Sequence, residues 1–303
     1  MKKVLTLGLF SLLLFPLESG HATPMKVFVS ILPQKYFVER IGAGLVHVSA
    51  MVLPGANPAT YEPKPSQMVE LSKAKVYFSA GVPFEKTWLP RIVQMNKNLM
   101  VFHTDAGIAK RPMENSLLFL GKHEDTIEEG HGHEPGSPDP HIWLSPPLVM
   151  LQARNILDGL IRSDPDHRAD FEAGYGKFIN EIVAVDLEIL NLFQRYQGSG
   201  RFMVFHPSWG YFAEAYGLTQ LPIEMEGKEP KPADLKALIT AARREGIKVI
   251  FVQPQFSRKS AETIARAIGA KVLIADPLAE DWAQNLKQVA LRFREALGNA
   301  GSG

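Results

Sequence analysis

The sequence predicts an α/β protein with two lobes, each a mostly parallel sheet flanked by helices, joined by one long rigid helix. Three observations carry this. Short apolar runs suited to buried strands alternate with helix-length segments in both halves of the chain. Between the halves, Phe171, Tyr175, Phe178, Ile182, Val185, Ile189, Leu192 and Tyr196 recur every three or four residues as one apolar stripe. A histidine and an aspartate stand directly after strand runs, where open α/β sheets bind their ligands.

In the first half, Lys26–Leu32 reads as a strand, followed by a helix from Pro33 to Ile41 that Gly42 and Gly44 end. Val46–Leu53 is the next strand. The stretch from Pro54 to Pro65 must be a loop, because its prolines forbid ladder and helix bonds alike. Ser66 is the expected cap of a short helix through Met68, Val69 and Leu71. Val76–Ser79 is a strand, Glu85–Met95 a helix and Leu99–Phe102 another strand. Pro147–Ile161 reads as a helix. Asp164-Pro165 then offers a cap and a first-position proline for the long helix, a rod on the order of 50 Å at ~1.5 Å per residue. Gly198-Ser199-Gly200 ends it. The second half repeats the alternation: strand Arg201–Phe205, helix Trp209–Tyr216, strand Leu218–Ile223, helix Pro232–Glu245, strand Val249–Val252, helix Ser260–Ile268, strand Lys271–Ala275 and helix Asp281–Leu297. The organisation is therefore residues 1–22 as a leader, 23–163 as the first lobe, 164–199 as the linking helix and 200–303 as the second lobe.

Met1-Lys2-Lys3 followed by an apolar run from Val4 to Leu17, with small residues around Gly20-His21-Ala22, has the form of a cleavable secretory signal. The run is too short for a comfortable membrane span. Removing residues 1–22 takes away Lys2, Lys3 and Glu18, so the formal charge falls from +1 to 0. A neutral balance without a basic patch gives no support for nucleic-acid binding. The chain has Cys 0, which excludes disulfides, thiolate metal sites and a lipidated cysteine anchor. Export without that anchor points to the periplasm, and a monomer is expected.

The stretch 122–138 holds His123, His131 and His133 among Glu124, Asp125, Glu128, Glu129 and Glu134. With almost no apolar residue to bury, it reads as a solvated loop of metal-type ligands. It leads abruptly into Asp139-Pro140-His141-Ile142-Trp143, apolar and proline-stiffened, where a histidine would be held in one place. His206 directly follows the strand ending at Phe205, and Asp276 the strand ending at Ala275. Singly, a His or Asp before proline is usually structural. His141, His206 and Asp276 together, each at a strand end or beside a proline, indicate one shared metal site. Trp143, Trp209, Tyr61 and Tyr211 are read as cleft walls and core, and Lys228, Glu226 and Glu229 as helix-capping or mutually paired groups.

These motifs carry a resemblance. His141 in DPHIWLSP, His206 in FHPSWGYFAEAYGL, EPKPADL at Glu229–Leu235, Asp276 in DPL and YEPKPSQ at Tyr61–Gln67 resemble, in order along the mature chain, the solute-binding receptors of zinc and manganese ABC transporters. The resemblance implies two lobes bridged by a long helix, metal in the cleft between them, and delivery to an inner-membrane permease driven by a separate ATPase. It implies His141, His206 and Asp276 as ligands. At Pro58-Ala59-Thr60-Tyr61-Glu62-Pro63, Ala59 stands where that family usually has a histidine. A water, or a loop imidazole such as His131 or His133, is left to complete the set, with Glu62 a poorer substitute. Two imidazoles and a carboxylate suit Zn2+ ahead of Mn2+ and Fe2+. Three ligands and an open position also describe a catalytic zinc, but no H-E-x-x-H motif or phosphate loop is present, so the chain is not read as an enzyme. The other reading is a receptor-like protein whose altered first motif binds a metal chelate or a protein partner.

Overall fold

A computed structural model describes residues 23–114, 136–196, 200–225 and 227–298. The leader at 1–22 and the loop histidines His123, His131 and His133 lie outside the described residues, as does Glu226.

The first lobe is built on β1 (Met25–Val29), β2 (Val46–Ala50), β3 (Val76–Ser79) and β4 (Met100–His103). They form a four-stranded sheet in the order β2-β1-β3-β4, and every pair is parallel. The second sheet repeats this with β5 (Gly200–Val204), β6 (Leu218–Pro222), β7 (Val249–Val252) and β8 (Lys271–Ile274), in the order β6-β5-β7-β8. Each order reverses direction next to its first strand. That reversal opens a crevice beyond the carboxyl ends of β1 and β3 in one lobe and of β5 and β7 in the other.

The helices are α1 (Leu32–Gly42), α2 (Pro65–Leu71), α3 (Pro83–Met95), α4 (Pro146–Ser163), α5 (Arg168–Phe193), α6 (Gly210–Ala215), α7 (Pro232–Arg244), α8 (Lys259–Ile268) and α9 (Trp282–Gly298). Parallel strands need cover on both faces, and alternate residues of the second sheet serve different layers. Phe202 and Phe251 meet Phe293 of α9, with Phe202 stacked on it at 4.2 Å. Met203, Phe205, Ile250 and Val252 turn the other way and pack with Leu238 of α7 and Ile264 of α8.

The long stripe does form α5, with Phe171, Phe178, Ile182, Val185 and Ile189 buried as the period requires. Its first half lies on the first lobe, where Tyr36 of α1 gives its hydroxyl hydrogen to Glu181. Its second half lies on the second lobe, where Tyr216 donates to Asp186 at 2.8 Å and Phe193 packs edge-on against Phe212. One helix is thus seated in both lobes.

Several local expectations are corrected. The long helix spans 26 residues, roughly 40 Å, because Pro165–His167 is a separate 3-10 turn before it. Asp164 holds the His167 ring at 2.8 Å and makes no side-chain cap to the backbone. Ser66 is inside α2; its start is held by Gln67, whose Oε1 accepts from the Lys64 N–H at 3.0 Å. The strand expected through Leu53 stops at Ala50. After α1 the chain enters the left-handed region twice, at Gly44 with φ 82 as expected and also at Ala43 with φ 50. Phe193 is the buried member at the end of the α5 stripe, while Leu192 is half-buried.

Gly174 lets α1 and α5 approach closely, since a Cβ there would stand 2.4 Å from the main-chain oxygen of Ile41. Gly174→Ala improves helix propensity by about 1 kcal/mol. Forcing two helices apart costs about 1–3 kcal/mol, so the clash wins. The variant is expected to melt at a lower temperature than the parent; an unchanged or raised melting temperature would show that the crossing is slack.

Candidate metal centre

The crevices of the two sheets face one pocket. Its lining comes from the loop after β2 (Asn57, Pro58, Ala59), the start of α3 (Val82, Pro83), the crossing segment (Pro140, His141, Trp143) and the loops after β5 (His206), β7 (Gln255, Phe256) and β8 (Pro277, Leu278). The cavity is small, about 30 Å³, which suits an ion with one or two waters.

His141 is fixed by its own tripeptide. Asp139 Oδ1 accepts from the His141 main-chain N–H at 3.0 Å and stands 2.7 Å from its Nδ1. The Asp139 backbone is held at both ends, its N–H donating to Arg111 O at 2.8 Å and its carbonyl accepting from the Tyr211 hydroxyl at 3.0 Å. Burial pushes the Tyr211 hydroxyl up to about 12, so it remains a donor at neutral pH.

His206 leaves β5 under a different clamp. Gln253, just past β7, accepts from the His206 N–H at 3.2 Å and donates to its carbonyl at 2.7 Å. The ring stacks on Phe256 at 4.8 Å, and its Nδ1 lies 2.8 Å from Glu224 Oε1.

Both rings therefore have the same electronic arrangement. A carboxylate only accepts, so Nδ1 must carry the proton and Nε2 the lone pair. This is the way metal-ligating histidines are usually oriented, with the carboxylate raising the basicity of the free nitrogen. The ring centroids are 5.2 Å apart at 72°. Two imidazoles on one zinc at ~2.0–2.1 Å with a tetrahedral angle have centroids about 5 Å apart. Burial holds His141 below the ordinary imidazole range, with Asp139 opposing it, so the ring stays neutral and ready to ligate. Asp139 Oδ2 and Glu224 Oε2 are buried without a hydrogen-bond partner among the described residues. A buried acceptor left unpaired costs ~1–3 kcal/mol, a cost a nearby cation would offset.

Asp276 is half-buried beside the pocket. Its Oδ1 accepts from Gln255 Nε2 at 3.1 Å and from the Leu278 N–H at 2.9 Å. The structure thus brings the His141 and His206 rings together edge-on and leaves Asp276 beside the pocket, hydrogen-bonded to Gln255 of its lining. Among the described residues, no three His, Cys, Asp or Glu side chains converge on one point. Ala59 lines the pocket, while Glu62 is exposed outside it. Glu229 bonds Ser260 at the start of α8, not Lys228.

Sequence reasoning missed Glu224, Gln253 and Gln255, and left Asp139 without a role. The signal for the first three was present. Each stands just past a strand, β6 or β7, the position used to select His206 and Asp276.

A sequence model of the ZnuA family, described as zinc-uptake complex component A, periplasmic, matches residues 27–296. The chain belongs to this family. The receptor is 41% identical to a crystal structure of ZnuA, with a TM-score of 0.82 over 91% of this chain and 100% of that one. It is equally similar, at 41% identity and a TM-score of 0.80 over 91% and 98%, to a zinc-bound deletion mutant of ZnuA. The high-affinity zinc uptake system protein ZnuA of Bacillus subtilis is 28% identical over 84% of this chain and 78% of its own. The two-lobe fold and the solute-binding class of the receptor agree with the sequence reading.

The lowered affinity of His141 for protons has a measurable consequence. The unfolded chain protonates this ring near ~6.5 and the folded receptor only at lower pH. Its contribution to stability is therefore complete above ~6.5 and is lost as pH falls through the folded value. Urea midpoints of the metal-free receptor should drop between pH 7.5 and 5.5, and His141→Gln should drop less. Equal slopes for the two proteins would refute the assignment.

Proposed function

We propose that this chain is an extracytoplasmic receptor that takes one zinc ion between its lobes and delivers it to the permease of an ABC transporter. His141 and His206 are the imidazole ligands, and Asp276 supplies the carboxylate of the site. The observation that carries this is the pair of facing imidazoles, each held at Nδ1 by a buried carboxylate. Zinc is placed ahead of Mn2+ and Fe2+ because nitrogen-rich sites with few oxygen donors suit it better. The zinc-bound ZnuA relative supports the same choice.

Residues 1–22 are a cleavable leader in this reading and the mature receptor is a periplasmic monomer, with 23–163 and 200–303 as its lobes and 164–199 as their link. The periplasmic description of the family supports that location. Ala59 lines the pocket without offering a donor, so water occupies that side of the ion unless His131 or His133 reaches it.

Calorimetry should give one tight zinc per chain. With His123, His131 and His133 replaced, His206→Ala should weaken that zinc by at least about tenfold, or about 1.4 kcal/mol. Unchanged affinity would mean the site lies elsewhere. Restoring a donor with Ala59→His should tighten zinc in chains that keep His141 and His206. A competing-chelator titration that finds no gain, with or without the loop histidines, would show that the Ala59 side of the pocket does not meet the ion.

A further inference from the structure

One side of the pocket is an apolar wall. Pro58 and Ala59, in the loop after β2, and Val82 and Pro83, at the start of α3, line it without a side-chain donor for a metal. Asn57 beside them turns its Oδ1 to the Ala59 N–H at 2.8 Å. The two segments are joined. The Phe84 N–H donates to the carbonyl of Pro58 at 3.2 Å, and the Phe84 ring meets Tyr61 edge-on at 5.9 Å.

Glu85, one residue further along α3, is a buried carboxylate with no part in holding the imidazoles. Its Oε1 accepts from the Ala80 N–H at 2.8 Å and its Oε2 from the Gly81 N–H at 3.0 Å. Oε1 also takes the hydroxyl hydrogen of Ser30, whose oxygen then accepts from the Tyr77 hydroxyl at 2.8 Å. Ser30 directly follows β1 and Ala80 directly follows β3. One side chain therefore ties the carboxyl ends of the two central strands to the residues that lead into the wall.

The wall matters because space beside the ion is scarce. A cavity of about 30 Å³ holds an ion with one or two waters. With His141, His206 and Asp276 as donors, four-coordinate zinc needs about one water more. Mn2+ in its usual octahedral shell would need about three. We propose that the wall of Pro58, Ala59, Val82 and Pro83 selects the ion by limiting its coordination number, with Glu85 as the positioning residue that keeps the wall from receding. This rests on the receptor reading above and deepens it, by assigning the choice among divalent ions to residues that do not bind them.

The test measures Zn2+ and Mn2+ affinities of the full mature receptor by chelator competition. Two variants release the wall. Val82→Ala removes part of it, and Glu85→Gln sets an NH2 group against a main-chain N–H. Each should narrow the preference for zinc by about tenfold, chiefly through a gain for Mn2+, with zinc weakened by less than about threefold. Bound Co2+ reports the geometry. The intense visible bands of a four-coordinate ion in the parent should fade in both variants toward the weak bands of six-coordination. Packing damage alone would weaken both metals alike and leave those bands in place. If Glu85→Gln does not fold, Val82→Ala carries the test by itself. An unchanged preference in either folded variant, equal losses of the two metals, or weak cobalt bands already in the parent each overturn the proposal. His206→Ala run alongside separates the two readings. If it keeps the parent's zinc affinity, the receptor site is misassigned and selection by this wall falls with it. If it loses zinc while the wall variants keep the parent's preference, the proposal alone fails.

Discussion

Two indole N–H groups hold the lobes against each other at the floor of the cleft. Trp143, on the segment leading into α4, donates to the carbonyl of Pro277 in the second lobe at 2.7 Å. Trp282, at the start of α9, donates back to the carbonyl of Trp143 at 2.7 Å. Both rings are fully buried, so each bond lies where an unpaired group would be costly. Trp282 also packs edge-on against Phe37 at 5.4 Å, and Trp143 meets the His141 ring at 5.2 Å. The junction therefore sets the distance between the lobes and, through Trp143, the position of one imidazole. It acts together with α5 and with the Tyr211 hydroxyl, which ties Asp139 to the second lobe, in fixing how His141 and His206 meet.

The site spends much of its chemistry on orientation before any ion arrives. Gln253 grips both main-chain groups of His206, while Tyr211 and Arg111 grip those of Asp139. Ordering a side chain at the moment of binding costs about 0.5–1.5 kcal/mol. Here the fold bears that cost in advance, while one carboxylate oxygen each of Asp139 and Glu224 stays buried without a hydrogen-bond partner among the described residues.

Much of the scaffold was legible because its signals are periodic. The apolar stripe of α5 and the alternating strand and helix runs follow from burial, and burial leaves a repeat in the sequence. The ends of elements were less legible. Ser66 has the chemistry of a cap, yet Pro65 already occupies the first helical position, and Gln67 does the capping from inside the turn. In the site, His141 and His206 stood out by residue type. Glu224 and Gln255 did not, although they occupy equivalent strand-end positions, because a lone glutamate or glutamine has many ordinary roles. Their part depends on which groups they face, and β6 meets β5, and β7 meets β8, only after the sheet has formed.

The parallel topology has a further consequence for how such a protein can change. Most of the pocket lining hangs from loops at the carboxyl ends of strands, while the apolar cores lie beneath, between sheets and helices. Chemistry and architecture are thus physically separable: a residue can be exchanged at the rim without removing a methyl group from either core. Ala59, small and at the rim, occupies such a position. A scaffold of this kind can trade one coordination chemistry for another one loop at a time, each trial leaving a folded protein.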